Sequence, residues 1–418
     1  MTERKLPLSG LHVADFSWFA AGPIVTEVMG IYGAEVVRVE SEARVDGLRT
    51  IMPFAKDKTG YNVSGWFNNY NAGKLSVTLN LNTEKGKELA YRLVRWADVL
   101  VSNFTPRVVE RWGLTYEELR KVKPDIIAAY EPMQGFEGPH RDFLGFGAIL
   151  TPITGFAHLT GFPHQPPVGM GTNYPDYVIN PIHTLTAVLA ALRYRHKTGK
   201  GQRIELAQLD SSVSALGPAL MDYAVNGRVQ NRAGNRLPHA SPHGAFPCLP
   251  LEGAGFLGED EDRWCAIAVF DDTQWQALCR AMGNPAWSQD PRFATLLSRK
   301  KHEDELEQQI AEWTGTKTPQ EVMETLQAAG VPAGVVQNGR DVLEGDPHLK
   351  ERGYYVYLDH PEAGRTAYDG PGFRLTKTPG VLRSPAPCLG EHNEKVCKEI
   401  LGLDDEEIAE LLIEQVLY

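Results

Sequence analysis

Cysteine is scarce in this chain: five in 418 residues, scattered and without CxxC spacing. That excludes a disulfide scaffold and a thioredoxin-type redox pair, and none of the five carries the local features of an activated thiolate. Cationic excess is missing too. The net charge of −11 argues against a nucleic-acid-binding surface spread over the molecule, while leaving room for a local basic pocket. No apolar run approaches the roughly 20 residues that cross a bilayer, and MTERKLPLSG has no apolar signal core. The expectation is a cytoplasmic protein with no membrane or nucleic-acid partner. Also absent are HExxH, the P-loop and the GxSxG elbow, and the first strand–turn–helix unit lacks GxGxxG. His239 and His243 are four apart with Cys248 nearby, but Pro238, Pro242 and Gly244 forbid the helix that would aim both at a metal, so none is expected.

What is present is an α/β alternation over the first half. LHVADF reads as a buried strand, and SWFAAGPIVTEVMGIYG as a small-residue turn running into a helix that ends near Gly33. AEVVRVE is the next strand, closing a βαβ unit. Gly22 in the turn serves either tight packing or close approach of a ligand. Leu75–Leu79, Thr83–Trp96 and Val99–Ser102 repeat strand, helix and strand. Asn103, Phe104 and Arg107 then follow a strand end, where open α/β sheets bind ligands. Lys74, Arg107 and Arg111 read singly as solvated charges and together as a phosphate clamp. Thr115 with Glu118, and Thr318 with Glu321, match capping boxes.

The stretch GMGTNYPDYVINPIHTLTAVLAAL, from Gly169 to Leu192, passes from a glycine-rich loop into an apolar helix. Asp176 sits at the junction. As an N-cap it would contribute about 0.5–2 kcal/mol; the other reading is a chemical reagent. Pro181 suits a first helical turn, which starts the regular helix near Asn180 and leaves Asp176 in the loop ahead of it. The βα pattern stops near residue 220. Residues 221–335 have a different texture, a polar linker and then strands and amphipathic helices, and read as a smaller α+β domain. In the tail, YYVYLDHPEAG and FRLTKTPG look like antiparallel strands, and DDEEIAELLIEQVL like a terminal amphipathic helix.

PLSGLHVADFSWFAAGP, GAEVVRVE, NAGKLSVTLNL, ADVLVSNFTPRVVERWGL, YPDYVINPIHTLTAVLAALRYRHKTGKGQ, GFRLTKTPG and LGEHNEKV occur in this order along nearly the whole chain. In order and spacing they resemble the class III CoA-transferases, the CaiB/BaiF family. The resemblance implies two interlocked, ring-shaped subunits, as a homodimer or a heteromer with a related chain. It implies a Rossmann-like large domain from residues 1–220 together with the returning segment 336–418, and a small domain over 221–335. It implies that Asp176 is the nucleophile, that coenzyme A thioesters are substrates, and that no cofactor is permanently bound. By motif, Phe19, Ala20 and Ala21 match the turn along adenine and pantetheine. Asn71 and Lys74 match an N-x-x-K contacting the nucleotide end, and Asn103, Phe104 and Arg111 match residues flanking pantetheine and phosphates. Arg38 and Arg107 are nearby cations for the phosphates.

Formyl-transferring members carry Gln where this chain has Ala20, and consecutive glycines where it has LEGAGFLGED. This argues against oxalate or formate as substrates. The YPDYVINPIH form of the motif is most like that of members handling larger or aromatic-substituted acids, with succinyl-CoA as donor and benzylsuccinate as the specific expectation. The aromatic-rich segment Gly145–Phe162 is compatible with a bulky acyl group and equally with core packing. An α-methylacyl-CoA racemase on the same fold is the alternative; it needs a His base, and Phe146 falls at that position. A non-catalytic CoA-binding subunit is the other, and the presence of Asp176 argues against it.

Overall fold

The computed structural model describes residues 5–255 and 258–418. Two units make up the chain, Met1–His158 with Val168–Gln230 and Pro347–Tyr418, and Leu159–Pro167 with Asn231–Asp346. The change in texture near 220 falls inside the helix Gly217–Asn226, which runs on to a left-handed Gly227, so the division comes about ten residues after each expected boundary. The inclusion of 159–167 in the second unit had no signature in the sequence.

The first unit holds a six-stranded, wholly parallel sheet. Its strands are β1 (His12–Asp15), β2 (Glu35–Glu40), β3 (Leu75–Thr78), β4 (Val99–Ser102), β5 (Ile127–Tyr130) and β6 (Gln202–Glu205), in the order β3-β2-β1-β4-β5-β6. Strands buried on both faces need apolar side chains in both directions. In β1, Ala14 joins the core on the side of the helix α2 (Glu84–Trp96) and Val13 the core on the side of α1 (Ala21–Ile31). Val188 and Ala191 of the long helix Asn180–Thr198 also pack on the α1 side. The C-terminal segment returns to edge strand β3: Asn393 Oδ1 accepts the Thr78 N–H at 2.8 Å, and Leu411 and Leu417 enter the same core as α2.

Order reverses between β1 and β4, so the loops leaving these neighbours diverge and open a crevice at their carboxyl ends. Asn103 spans it. Its Oδ1 accepts the Trp18 N–H at 2.9 Å and its Nδ2 donates to the Trp18 carbonyl at 2.6 Å.

The second unit has an antiparallel sheet of β7 (His243–Pro247), β8 (Trp264–Ala268) and β9 (Ala333–Val336), ordered β7-β8-β9. Helices Asp272–Ala281, Glu303–Thr314 and Pro319–Ala328 pack on it around Trp275, Leu306 and Leu326. The capping box at Thr318 and Glu321 has both halves, whereas at Thr115 only the hydroxyl half forms. The middle of LEGAGFLGED, Phe256 and Leu257, lies outside the described residues.

One tail expectation is corrected. Strand β10 (Tyr355–His360) pairs with β11 (Gly364–Asp369), immediately after its turn, and not with FRLTKTPG. The latter is irregular because it straps the end of α1: Phe373 stacks on Tyr32 at 4.8 Å and the Val381 N–H donates to the Ile31 carbonyl.

Candidate active site

Asp176 does not lie in a loop. The regular α-helix Asn180–Thr198 does begin at Asn180 with Pro181 in its first turn, but Pro175–Ile179 form a π-helical turn, with Pro175 in its own first turn, that runs straight into it. The Asp176 carboxylate does not cap its own helix either. It turns away and accepts the N–H of Gly147 on Oδ2 at 2.7 Å. Gly147 opens the short helix α3 (Gly147–Ile153). A Cβ there would lie 2.5 Å from Asp176 Oδ2, so glycine is required by the close approach. Oδ1 has no hydrogen-bond partner among the described residues, and the side chain is 5% exposed. Burial, offset in part by the Gly147 N–H, raises the carboxyl to about 6.

Asp176 lines a cavity of about 700 Å³ at the crevice between the β1 and β4 loops. Of the residues singled out from sequence, Phe19, Ala20, Ala21, Asn103, Phe104 and Arg111 line the same cavity. Trp18 and Phe104 meet edge to face at 5.1 Å, and Phe104 and Trp112 at 4.8 Å. Arg44 and Arg111 are the cations among the described lining residues, and each lies over an indole, of Trp18 and Trp112 respectively. Arg107 is exposed on the helix Pro106–Trp112 and is not part of the lining.

Three more of the expected ligand residues stand outside this lining. The side chains of Arg38 and Lys74 are fully shielded from solvent and Asn71 is buried, so none presents a free donor to the cavity. Lys74 Nζ donates to Asp15 at 3.0 Å, to the Pro23 carbonyl at 2.9 Å and to Asn71 Oδ1 at 2.8 Å. These bonds tie the first turn of α1 to β1 and β3. Asp15 also accepts from Thr26 and Ser17. Burial alone would raise the Asp15 carboxyl, but Lys74 and Arg38 outweigh it and hold it at about 2. Gly22 packs against Ser17 so closely that a Cβ would overlap it, which is the packing reading of that glycine. Arg38 pairs with Asp46, and Asp46 accepts the backbone N–H of Phe19 and of Leu48. Of the cations expected at the phosphates, Lys74 and Arg38 form the fastening beneath the turn, while Arg111 lines the cavity and Arg107 is exposed.

Gly147, Asp46 and Glu131 had no distinguishing pattern in the sequence. Glu131 follows β5 and is wholly buried, with the Thr184 hydroxyl beside its carboxyl. Burial pushes it up to about 8, with Thr184 opposing and the negative charges of Asp176 and Asp15 adding to the rise. His239 and His243 sit near Phe270, and no metal-holding cluster occurs among the described residues. Nor is any described helix long and apolar enough to cross a membrane.

Residues 8–393 match the family model described as CoA-transferase family III. The succinyl-CoA–D-citramalate CoA-transferase of Chloroflexus aurantiacus is 31% identical over 414 residues, covering 98% of either chain. The beta subunit of succinyl-CoA–L-malate CoA-transferase from the same organism is 33% identical, covering 100% of this chain and 99% of its own. A crystal structure of a CaiB/BaiF family protein from Brucella suis superposes with a TM-score of 0.84 at 30% identity, over 95% of this chain and all of that one. With an order of motifs, a parallel sheet and full-length relatives all in agreement, the chain belongs to the class III, or CaiB/BaiF, CoA-transferases and is an enzyme of the CoA-transferase type.

Proposed function

We propose that the enzyme transfers CoA from succinyl-CoA to a free carboxylic acid, with Asp176 as covalent nucleophile. The observation that carries this is a buried carboxylate with no cation partner among the described residues at the wall of a mainly apolar cavity, one oxygen anchored by Gly147 and the other without a hydrogen-bond partner among them. The ionised carboxylate attacks the thioester carbonyl of the donor, expelling CoA thiolate and forming a mixed anhydride. The thiolate then attacks the Asp176 carbonyl, which releases succinate and leaves an aspartyl-CoA thioester. The acceptor carboxylate attacks that thioester, giving a second anhydride and thiolate. Attack of the thiolate on the acceptor's carbonyl yields the new acyl-CoA and restores Asp176.

Both nucleophiles are anionic, so no separate base takes part. The protein's work is to exclude water from the anhydrides and keep the thiolate beside them, for which an apolar lining is suited. A carboxyl near 6 is ionised at neutral pH yet more basic than an ordinary Asp, which favours attack. Phe19, Ala20, Ala21, Asn103, Phe104 and Arg111 are the proposed CoA contacts, with Arg107 at the surface nearby. The relatives named for succinyl-CoA support that donor, and the aromatic lining supports an aromatic-substituted acceptor such as benzylsuccinate. The interlocked dimer, or a pairing with a related subunit, is proposed on the family's pattern. Racemisation is disfavoured because Phe146, at the expected base position, holds no proton to exchange.

Trapping tests the mechanism. Hydroxylamine added during turnover with succinyl-CoA and an acceptor acid should leave a hydroxamate on residue 176, seen as a mass shift of its peptide. An unmodified peptide under turning-over conditions refutes the covalent route.

A further inference from the structure

Phe19 has a backbone conformation that a bulky residue rarely adopts, with φ at +59°. Such strain persists only where the surroundings over-determine it. Here the surroundings are explicit. The Phe19 N–H donates to both oxygens of Asp46, at 3.1 and 3.3 Å, and Asp46 is itself held by the buried Arg38. Gly47 then makes room: a Cβ at that position would come within 2.5 Å of the Phe19 ring. The result is that the ring stacks on Phe146, with centroids 5.4 Å apart and planes 7° from parallel. Phe146 directly precedes Gly147, the donor to Asp176, and both rings line the cavity that Asp176 lines. Phe146 is 47% exposed, so Phe19 leaves much of the ring uncovered.

We propose that the Phe19–Phe146 stack, locked by the Asp46–Arg38 pair, is the specificity wall for the acyl group, selecting acids that carry a flat apolar substituent over small aliphatic ones. The inference rests on the transfer reading of the same cavity. Phe19 and Phe146 would touch the acyl group, and Asp46 is a positioning residue that acts through the Phe19 backbone. Aromatic rings favour a partner that stacks or meets them edge on, and a hydrophobic site discriminates modestly per methylene but more per ring.

The test compares 3-phenylpropanoyl-CoA with propanoyl-CoA, by calorimetric binding and by the rate of their formation from succinyl-CoA and the free acids. The wild type should favour the phenyl compound in both. Phe146→Leu should lower the phenyl-to-alkyl ratio about tenfold. Asp46→Asn should lower it in the same direction; because that variant can fail to fold, Phe19→Leu is the second probe. A ratio that stays at the wild-type value in Phe146→Leu and Phe19→Leu, or binding of both thioesters weakened equally, overturns the wall. If the wild type forms neither product while the binding ratio still falls in Phe146→Leu, the wall stands and the transfer reading fails.

Discussion

Two groups of buried carboxylates lie within one unit, one paired with cations and one not. Asp15, Glu40 and Asp46 are surrounded by Arg38, Arg49 and Lys74, with the Arg49–Glu40 contact at 2.7 Å and the Lys74–Asp15 contact at 3.0 Å. Asp176 and Glu131 are as well shielded but have no cation partner in an ion pair among the described residues. Burial raises any carboxyl, and nearby positive charge and hydrogen bonds oppose it; they prevail at Asp15 and Glu40, while Asp46, with Glu40 close by, stays raised. Asp15 therefore falls to about 2 and Asp176 rises to about 6. The paired set shapes the turn that lines the cavity, and the unpaired set is free to react or to hold a proton.

Four experiments can break or sharpen that contrast. Asp176→Asn should reduce CoA transfer by about 10³-fold or more while leaving the folded structure intact, checked by steady-state rates beside circular dichroism. Preserved turnover would place Asp176 with the structural set. Arg38→Ala should destabilise the fold by about 3–5 kcal/mol, since Asp46 and Asp15 lose a buried partner, measured by urea unfolding. A value within 0.5 kcal/mol of wild type would mean that the pairing is not what holds the turn.

The third experiment is a pH profile. The Asp176 carboxyl is raised to about 6, and the proposed mechanism uses its anion, so the rate should climb with pH and be about tenfold lower at pH 5 than at pH 7. A flat profile across that window would show that its ionisation does not limit attack. The smallest effect concerns Glu131. Its carboxyl is raised from 4.5 to about 8, so the native state keeps a proton that the unfolded chain has released. Stability from this group is full below pH 4.5 and is lost as pH rises towards 8. Glu131→Gln has no proton to lose, so its melting temperature should exceed that of wild type by about 5 °C at pH 8.5 and match it near pH 4.5. Equal melting temperatures at pH 8.5 would place a cation or water beside Glu131.

The strands around the crevice were legible because each is short, apolar and bounded by turn residues, as in VADF and VLVS. FRLTKTPG was misread for a reason that lies outside it. Its alternation is real, but Tyr32 offers Phe373 a stacking partner, and β10 already has a partner in β11 just across a tight turn. The start of the regular helix at Asn180 was legible from Pro181, but the π turn Pro175–Ile179 ahead of it, which takes Asp176 out of the loop, was not, because Pro175 suits a first turn and a loop equally.

Local pattern and the order of motifs determined the α/β alternation and the family, and through the family's pattern the proposal of Asp176 as nucleophile. Folding decided which charges are available. Arg38 and Lys74 look like ligand cations in one dimension, since a sequence carries no record of the acids that will be packed against them. Asp15, Asp46 and Asn71 come from separate segments, and only the stacking of parallel strands brings them within reach. The same holds for the Gly147 N–H on Asp176, 29 residues away along the chain and 2.7 Å away in space.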